Sequence, residues 1–290
     1  MQNTRETGTP SLSRPLDLKL SKLPWWVLIL IAAGILGIFL IFSDANYYAT
    51  FRFLLYGVAT TLRITLIAFP ISVIIGLFTG LARMSKNPII YNAATIYVEV
   101  MRGIPIVVLL LMVAFAFVPI SVEIINNVGG WGLHLFSSTF LVNVSASMAE
   151  FSIRSISMEL RAIFALAIAY GAFEAEIFRG GICSIGKGQM EAARSLGMSY
   201  FQAMRFIILP QAVRIILPPL GNDFIALLKD SSLATVLAVS ELTQLTRVRK
   251  ASTFRVMETF NVAAFLYLSL TLMLSAAVKY LEKRMKIEGY

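Results

Sequence analysis

Ionisable side chains stand inside several of the apolar runs of this 290-residue sequence. A charged group costs about 3 kcal/mol or more at the centre of a bilayer, so such a residue is by default a candidate for binding or transport. A zwitterionic ligand needs a cation or a helix N-terminus for its carboxylate and an acid for its ammonium group. Both signs occur in the set, which comprises Arg63, Glu99, Arg102, Glu174, Glu176, Asp223, Lys229 and Asp230.

Spacing divides these residues into those with a local partner and those without. Glu99 and Arg102 are three residues apart, as are Glu176 and Arg179, and side chains at this spacing on a helix can form an ion pair. Glu174 has no such partner three or four residues away. Arg102 and Glu174 therefore have two possible roles: they form ion pairs within the protein, or they are the first candidates for contact with a ligand. Further candidates for ligand contact are Thr61, Asp223 and Lys229.

A glycine-rich stretch after the fourth apolar run comes close to a phosphate-binding loop. Gly181 is followed by four residues and then by Gly186 and Lys187. A working loop of this kind needs Ser or Thr after the Lys to hold magnesium, a strand before it and a helix after it. Here Gly188 follows the Lys and a membrane-length apolar run precedes the stretch. We therefore expect no nucleotide site in this chain, and no catalytic residue or metal ligand.

Composition places the chain in a membrane. Hydrophobic residues make up 58% of the sequence and charged residues 14%, against ~45–50% and ~25% in soluble domains. The net charge of +9 would suit a nucleic-acid partner in a soluble protein, but the positive residues lie in loops beside apolar runs, and we expect no such partner. The single Cys183 excludes an internal disulfide. We also expect no removable signal peptide, because no small-residue cleavage pattern follows the first apolar run.

Six apolar runs reach the length that crosses a bilayer and predict an all-α polytopic membrane protein with about six transmembrane helices. Pro218 and Pro219 set the predicted start of the fifth run, and with Pro105 they are expected to break helices at membrane depth. The predicted spans are Trp25–Phe42, about 55–81, about 96–119, about 160–182, about 219–239 and about 260–280.

Positive charge sets the predicted orientation, since cytoplasmic loops are rich in Lys and Arg. With six spans, sixteen of the 25 Lys and Arg residues fall on the side of both termini and seven on the other, so both termini are predicted to be cytoplasmic. The connection from about 120 to 158 is then external. Its stretch "WGLHLFSSTFLVNVS" is apolar enough to lie on the membrane surface. A seventh span there would put the termini on opposite sides.

The segment between the fourth and fifth spans carries capping and termination signals that predict two short helices. Gly197 is placed to end the first in a left-handed cap. Ser199 begins the second, with Gln202 as its reciprocal capping partner, and Pro210 is expected to end it. The residues alone allow two interpretations: a docking surface for another protein, or an amphipathic loop on the lipid.

The same segment, "EAARSLGMSYFQAMRFIILP", resembles the EAA loop of the permeases of ATP-binding cassette (ABC) importers. The pattern is EAA, three residues, Gly, nine residues, Ile, one residue and Leu-Pro. In that family the loop docks into a groove of a separate ATPase subunit. The resemblance implies that the coupling residues are Glu191, Ala192, Ala193, Gly197, Ile207, Leu209 and Pro210.

Three further segments are similar to one branch, the polar amino acid permeases of the histidine/glutamine type. They are "YVEVMRGIP", "AEIFRGGICSIGKGQMEAA" and "LPQAVRIILPPLGNDFIALLKDSSL". The resemblance covers about 54–286. Departures are Leu109 where Gln is common, Ser231 for Thr, Phe173 for Tyr, and an unusually long external loop.

The resemblance implies the organisation of the chain. It predicts a cytoplasmic tail (1–23), an additional first helix with a short external loop (24–53), the importer transmembrane domain (54–286) with its coupling loop at about 183–211, and a C-terminal tail (287–290).

The resemblance also implies a function, that of a permease subunit importing a polar amino acid through the bacterial inner membrane. Its implied partners are two copies of an ATPase that binds ATP and Mg, a second permease subunit, identical or homologous, and a soluble binding protein; this chain itself needs no cofactor. The alternative is an ion-coupled secondary transporter that works without an ATPase.

Overall fold

The computed structural model describes residues 25–135 and 138–285, and these residues are helical nearly throughout. The predicted tails, 1–23 and 287–290, lie outside the described residues. The helices are α1 (Trp25–Ser43), α2 (Ala45–Ala82), α3 (Pro88–Gly103), α4 (Ile106–Met112), α5 (Val118–Leu135), α6 (Thr139–Ala149), α7 (Met158–Cys183), α8 (Lys187–Ser195), α9 (Tyr200–Ala203), α10 (Leu209–Asp230), α11 (Leu242–Thr253) and α12 (Val256–Met285).

Short polar residues begin several of these helices. The Asp44 carboxylate accepts from the backbone N–H groups of Asn46 and Tyr47 and separates α1 from α2. The side chain of Asn87 caps α3, and that of Ser157 accepts from Leu160 N–H at 3.2 Å to begin α7. Each cap satisfies an amide that has no partner within its own helix, and this satisfaction is obligatory where water is scarce.

The centre of the molecule is the parallel contact of α2 with α7, in which Arg63 meets Glu159 near one end and Gly80 meets Phe178 near the other. Small residues on α2 recur every fourth position at Ala68, Ser72, Gly76 and Gly80, and all four are buried. A Cβ atom at Gly76 would stand 2.7 Å from the Cβ atom of Glu174, so only glycine allows this separation of the two helices. Close approach through small residues is the usual packing of membrane helices.

Five segments among the described residues are long and apolar enough to cross a membrane. They are Trp25–Ser43, Ala45–Ala82, Ile106–Leu135, Tyr200–Leu237 and Val256–Arg284. The fourth predicted span corresponds to α7, which carries five charged residues yet is buried along most of its length. Its crossing of the membrane, and hence the total of six spans, stays a prediction.

The third predicted span is interrupted where Pro105 stands. Helix α3 ends at Gly103, Ile104 and Pro105 are extended, and α4 begins at Ile106. The predicted break at this proline is confirmed. No helix end lies at Pro119, because the chain continues through a π-helical turn (Val113–Phe117) into α5 without a break. The end of the membrane crossing at Pro119 stays a prediction.

The predicted break at Pro218 and Pro219 is wrong. Helix α10 runs through both prolines from Leu209 to Asp230. Tight packing on both sides holds the helix: Gly181 of α7 contacts Ile216, and Gly221 contacts Val278 of α12. Packing by neighbouring helices compensates the backbone hydrogen bonds that proline removes.

A neighbouring boundary also differs from prediction. Pro210 does not end a helix, since it lies in the first turn of α10 and follows a π-helical turn (Met204–Ile208). The predicted end of the fifth span near Val239 agrees with the end of the apolar segment at Leu237. Its last residues form a 3₁₀ segment (Ser231–Leu237), which a left-handed residue at Ala238 follows. Helix α10 begins nine residues before Pro218, because tertiary packing overrides the local tendency of Pro218 and Pro219 to break a helix.

Candidate functional site

A buried polar cluster lies where α2, α7 and α10 meet. Glu174 of α7 is fully buried, and its Oε1 atom accepts from the Ser72 hydroxyl at 2.8 Å. The same hydroxyl lies 2.7 Å from the carbonyl oxygen of Phe69, and its single proton can serve only one acceptor at a time. The second oxygen, Glu174 Oε2, is buried and has no hydrogen-bond partner. Such an orphaned oxygen is costly unless a ligand meets it.

Asp223 of α10 belongs to the same level of the bundle. Leu220, three residues earlier on the same helix, packs with Phe178 of α7. Phe224, the next residue, packs against Phe69 of α2 with ring centroids 4.9 Å apart and ring planes tilted by 59°. The Oδ2 atom of Asp223 is also buried without a partner. Among the described residues, no Lys or Arg forms an ion pair with Glu174 or Asp223. The two acids therefore offer negative charge or acceptor oxygens to a cationic group.

The charged residues nearer the inner end of α7 form a separate network. Glu176 contacts three arginines: Arg83, which follows the last residue of α2, Arg102 of α3 at 3.5 Å and Arg179 at 2.8 Å. The predicted pair of Glu176 with Arg179 is confirmed. The predicted pair of Glu99 with Arg102 is wrong, because Glu99 pairs with Arg83 at 3.8 Å. Glu99 pairs with Arg83 on another segment rather than with Arg102 on its own helix, because the Arg83 side chain is nearly buried and its charge must be neutralised.

Arg102 therefore stands apart from the buried acids. Its guanidinium lies over the Phe173 ring at 5.6 Å and contacts Glu176, and its side chain is 43% exposed. The Arg102 guanidinium is thus paired with Glu176 on one side and accessible on the other.

The remaining sequence candidates lie at other places. Thr61 is fully buried, and its hydroxyl accepts from the Leu242 amide at 3.2 Å, so it joins α2 to α11. Lys229 is exposed at the end of α10. The structure brings Glu174 and Asp223 to one level of the bundle and does not bring Thr61 into contact with them.

Two contacts of the site were missed from the sequence. Ser72 partners Glu174, and the Tyr170 hydroxyl donates to Asp230 Oδ2 at 2.8 Å. The four-residue repeat of small residues on α2 was a usable signal for Ser72, because such a stripe marks a helix contact surface. No local spacing connects Tyr170 to Asp230, which are sixty residues apart.

The segment between α7 and α10 folds as two short helices, as its capping residues predict. Gly197 has φ +83°, and the Met198 amide donates to the Ala193 carbonyl while the Gly197 amide donates to Arg194. This is a complete Schellman cap. Ser199 and Gln202 form the predicted reciprocal capping box. The turn leaves three large apolar side chains 62–83% exposed, namely Leu196, Tyr200 and Phe201.

Comparison with known proteins identifies the family. The family described as "Binding-protein-dependent transport system inner membrane component" matches residues 72–287. This chain belongs to that family. It is thus a multi-pass inner-membrane permease, which works with a separate ATPase and a binding protein and has no nucleotide site of its own.

Named relatives align with most of the permease. It is 36% identical over 244 residues to the probable amino-acid ABC transporter permease protein YckA of Bacillus subtilis, which covers 84% of this chain and 94% of the relative. It is 36% identical to the glutamine transport system permease protein GlnP of Escherichia coli (81% and 93% covered). It is 33% identical to the arginine transport system permease protein ArgU of Corynebacterium glutamicum (93% and 83% covered).

Solved structures share the fold. The permease matches a crystal structure of an amino acid ABC transporter with histidines at a TM-score of 0.64 and 34% identity, covering 80% of this chain and 94% of that one. An inward-facing structure of the MetNI methionine ABC transporter matches at a TM-score of 0.59 and 19% identity, over 81% and 97% of the chains, and supports the fold alone.

Proposed function

We propose that this permease subunit imports a polar amino acid, and that Glu174 and Asp223 receive the cationic group of the substrate. The observation that carries the proposal is the oxygen Oε2 of Glu174, which is buried and without a partner. An amino acid that loses its hydration inside the bundle must meet opposite charge or oriented dipoles. The names of the relatives, which include glutamine and arginine permeases, support an amino acid as the substrate.

The carboxylate of the substrate requires a different partner. Arg102 is the cation that the sequence favours for this role, and its 43% exposure leaves one side of the guanidinium accessible. Its contact with Glu176 also supports a positioning role, in which it holds the acids of the network in place. Thr61 and Lys229 become weaker candidates, because the first bonds α11 and the second lies outside the buried cluster.

The test of the substrate site compares Glu174→Gln with Glu123→Gln, which alters an exposed acid on α5. Both variants are first checked for membrane insertion and for assembly with the ATPase. We expect Glu174→Gln to reduce amino acid uptake at least about tenfold, which is the effect of ~1.4 kcal/mol of lost interaction. Glu123→Gln should transport normally. Uptake at wild-type affinity by an assembled Glu174→Gln protein would place the substrate elsewhere.

The proposal includes an assembly in which ATP and Mg are bound only by partner subunits. Two permease subunits, identical or homologous, stand over two ATPase subunits, and a soluble binding protein delivers the substrate from outside. The coupling segment from Lys187 to Ile208 docks on the ATPase, and its exposed Leu196, Tyr200 and Phe201 supply the apolar anchor of that interface. Cysteine crosslinking from Phe201 to the ATPase tests this contact.

Both termini are proposed to be cytoplasmic. The predicted external connection offers a labelling site at Asn127, which is exposed, whereas the neighbouring Asn126 is half-buried against α6. In a Cys183→Ser background, a cysteine at 127 should react with an impermeant reagent in sealed cells, and a cysteine at 288 should not. Equal labelling at both positions would contradict the orientation.

A further inference from the structure

The long connection after the third span contains two helices, α5 and α6, that pack against each other as a hairpin. Helices α5 and α6 pack against each other at Gly129, which is buried, and a Cβ atom there would clash with the backbone of Ser145 and Ala149 on α6. The hairpin makes its main contacts with itself rather than with the helix bundle. Large apolar side chains on its outer surface are therefore left without a protein partner among the described residues.

The stretch that contains the hairpin is nearly free of charge. Between Arg102 and Glu150 the sequence holds one charged residue, Glu123, and one histidine, His134. Charged residues return directly after the hairpin, at Glu150 and Arg154. A soluble loop of this length would carry several charges, since ~25% of the residues in soluble domains are charged.

The exposed residues of α5 are sorted into two stripes. An apolar stripe follows the helical spacing of four, four, three and four, and it continues on α6 at Phe140 and Val144. A narrower polar stripe beside it contains Glu123, Asn127 and His134. The members of the apolar stripe on α5 are 47–75% exposed, and they are Ile120, Ile124, Val128, Trp131 and Leu135.

Several polar groups of the hairpin are satisfied internally. Ser121 donates to the Phe117 carbonyl at 2.7 Å, and Ser147 donates to the Asn143 carbonyl at 3.0 Å. The Asn126 amide, in the orientation that satisfies both of its atoms, donates to the Met148 carbonyl at 2.9 Å. Side chains that fold back on backbone carbonyls are the arrangement that hydrocarbon surroundings require.

The hairpin is also continuous with the membrane-crossing surface. Residues 106–135 form one helical rod, about 45 Å long at 1.5 Å per residue. A bilayer core is only ~30 Å thick, so the rod exceeds it unless it is strongly tilted. The apolar stripe of α5 extends the exposed apolar surface of the same rod, on which Val108, Leu111 and Phe115 are 39–57% exposed.

We propose that the hairpin of α5 and α6 is a lipid-binding element, whose apolar stripe lies in the outer leaflet and whose polar stripe faces water. The occupant of the stripe is the acyl-chain and interfacial region of the membrane. Trp131, an aromatic residue with a polar N–H near the tip of the hairpin, suits the interface, where tryptophan is enriched. The element thus acts as a membrane anchor beside the external mouth of the permease.

The experiment uses the tryptophans of the chain as depth probes. Trp25 and Trp26 are replaced by Phe, which leaves Trp131 as the single tryptophan of the full-length permease in liposomes. We expect lipids brominated on their acyl chains to quench at least about half of its fluorescence, and aqueous iodide to quench it weakly. The matched control keeps Trp25 and Trp26 and carries Trp131→Phe, so that tryptophans of a spanning helix calibrate the lipid signal.

A second pair of variants separates the two stripes. Cysteines at Asn127 and Val128, in the Cys183→Ser background, differ by one position on α5 and lie on different stripes. An impermeant maleimide should react with the cysteine at 127 at least about tenfold faster. Strong iodide quenching of Trp131 without lipid quenching would overturn the proposal in favour of an aqueous loop. Protection from both quenchers would overturn it in favour of a protein partner, such as a second copy of the chain.

Discussion

The Ser72 hydroxyl lies 2.8 Å from Glu174 Oε1 and joins the two central helices of the permease at the level of its buried acids. One helical turn away, Gly76 removes the side chain that would otherwise separate them. The same glycine thus permits both the packing of α2 on α7 and the position of the proposed substrate contact.

Gly76→Ala should destabilise the protein. The new Cβ atom would stand 2.7 Å from Glu174 Cβ and 3.1 Å from the Ala175 amide nitrogen, so the helices must move apart. Overpacking of this kind costs about 1–3 kcal/mol, and thermal unfolding in detergent measures it. Gly34→Ala is the control, because nothing lies within 4 Å of its Cβ position. Equal melting temperatures for the two variants would show that α2 and α7 do not pack this closely.

Glu176→Gln should destabilise the inner end of the bundle much more than Glu99→Gln. Both acids contact Arg83, whose side chain is 9% exposed, but Glu176 also holds Arg102 and Arg179. Loss of the main partner of a buried charge costs on the order of 3 kcal/mol. Glu99 is 68% exposed, and its loss should have little effect. Folded yield and melting temperature are the measurements, and a larger effect of Glu99→Gln would refute the network.

Gly197→Val should uncouple ATP hydrolysis from transport while leaving membrane insertion intact. The φ of +83° lies in the left-handed region, which a β-branched residue adopts at high cost. Glu191→Lys, on the exposed face of α8, should uncouple through charge reversal at the interface. The control is Gly188→Ala, where the added Cβ meets open space. Stimulated uptake is measured in membranes, and normal uptake by both variants would disprove the coupling role.

Stability should depend on pH through Glu241, which lies outside the spans. Burial raises the pKa of Glu241 to about 7 from its ordinary value of 4.5, although the amides of Thr243 and Gln244 and the Tyr267 hydroxyl donate to its carboxylate. Because the folded pKa is raised, the folded state favours the protonated acid. The stabilisation is complete below pH 4.5 and is lost as the pH rises through about 7.

We therefore expect the melting temperature of the wild type to fall more between pH 5 and pH 8, on the order of a few degrees, than that of Glu241→Gln. Gln retains an acceptor for the cap of α11 but does not titrate. Parallel pH profiles for the two proteins would contradict the assignment.

Much of the fold could be predicted because local signals and tertiary packing agree. The Schellman cap at Gly197, the capping box at Ser199 and the break at Pro105 are properties of a few neighbouring residues, and the sequence displays them directly. The break predicted at the prolines 218 and 219 does not occur, because contacts from α7 and α12 hold the helix through them. Local preference fails where distant residues determine the conformation.

The site was only partly predictable for the same reason. Glu174 was recognised because it has no partner on its own helix, which is a statement about spacing. Its real partner, Ser72, is 102 residues away, and Glu99 finds Arg83 on another helix rather than Arg102. Pairing between helices depends on their separation and rotation, and neither quantity is encoded in the spacing within one helix.

The most direct test of the account is amino acid uptake by proteoliposomes that contain the assembled permease and receive the soluble binding protein from outside, with and without the ATPase subunit. The account predicts that uptake requires the ATPase and internal ATP, and that it is lost when Gly197→Val prevents coupling. Uptake driven by a proton or sodium gradient without the ATPase would contradict the account and establish an ion-coupled transporter instead.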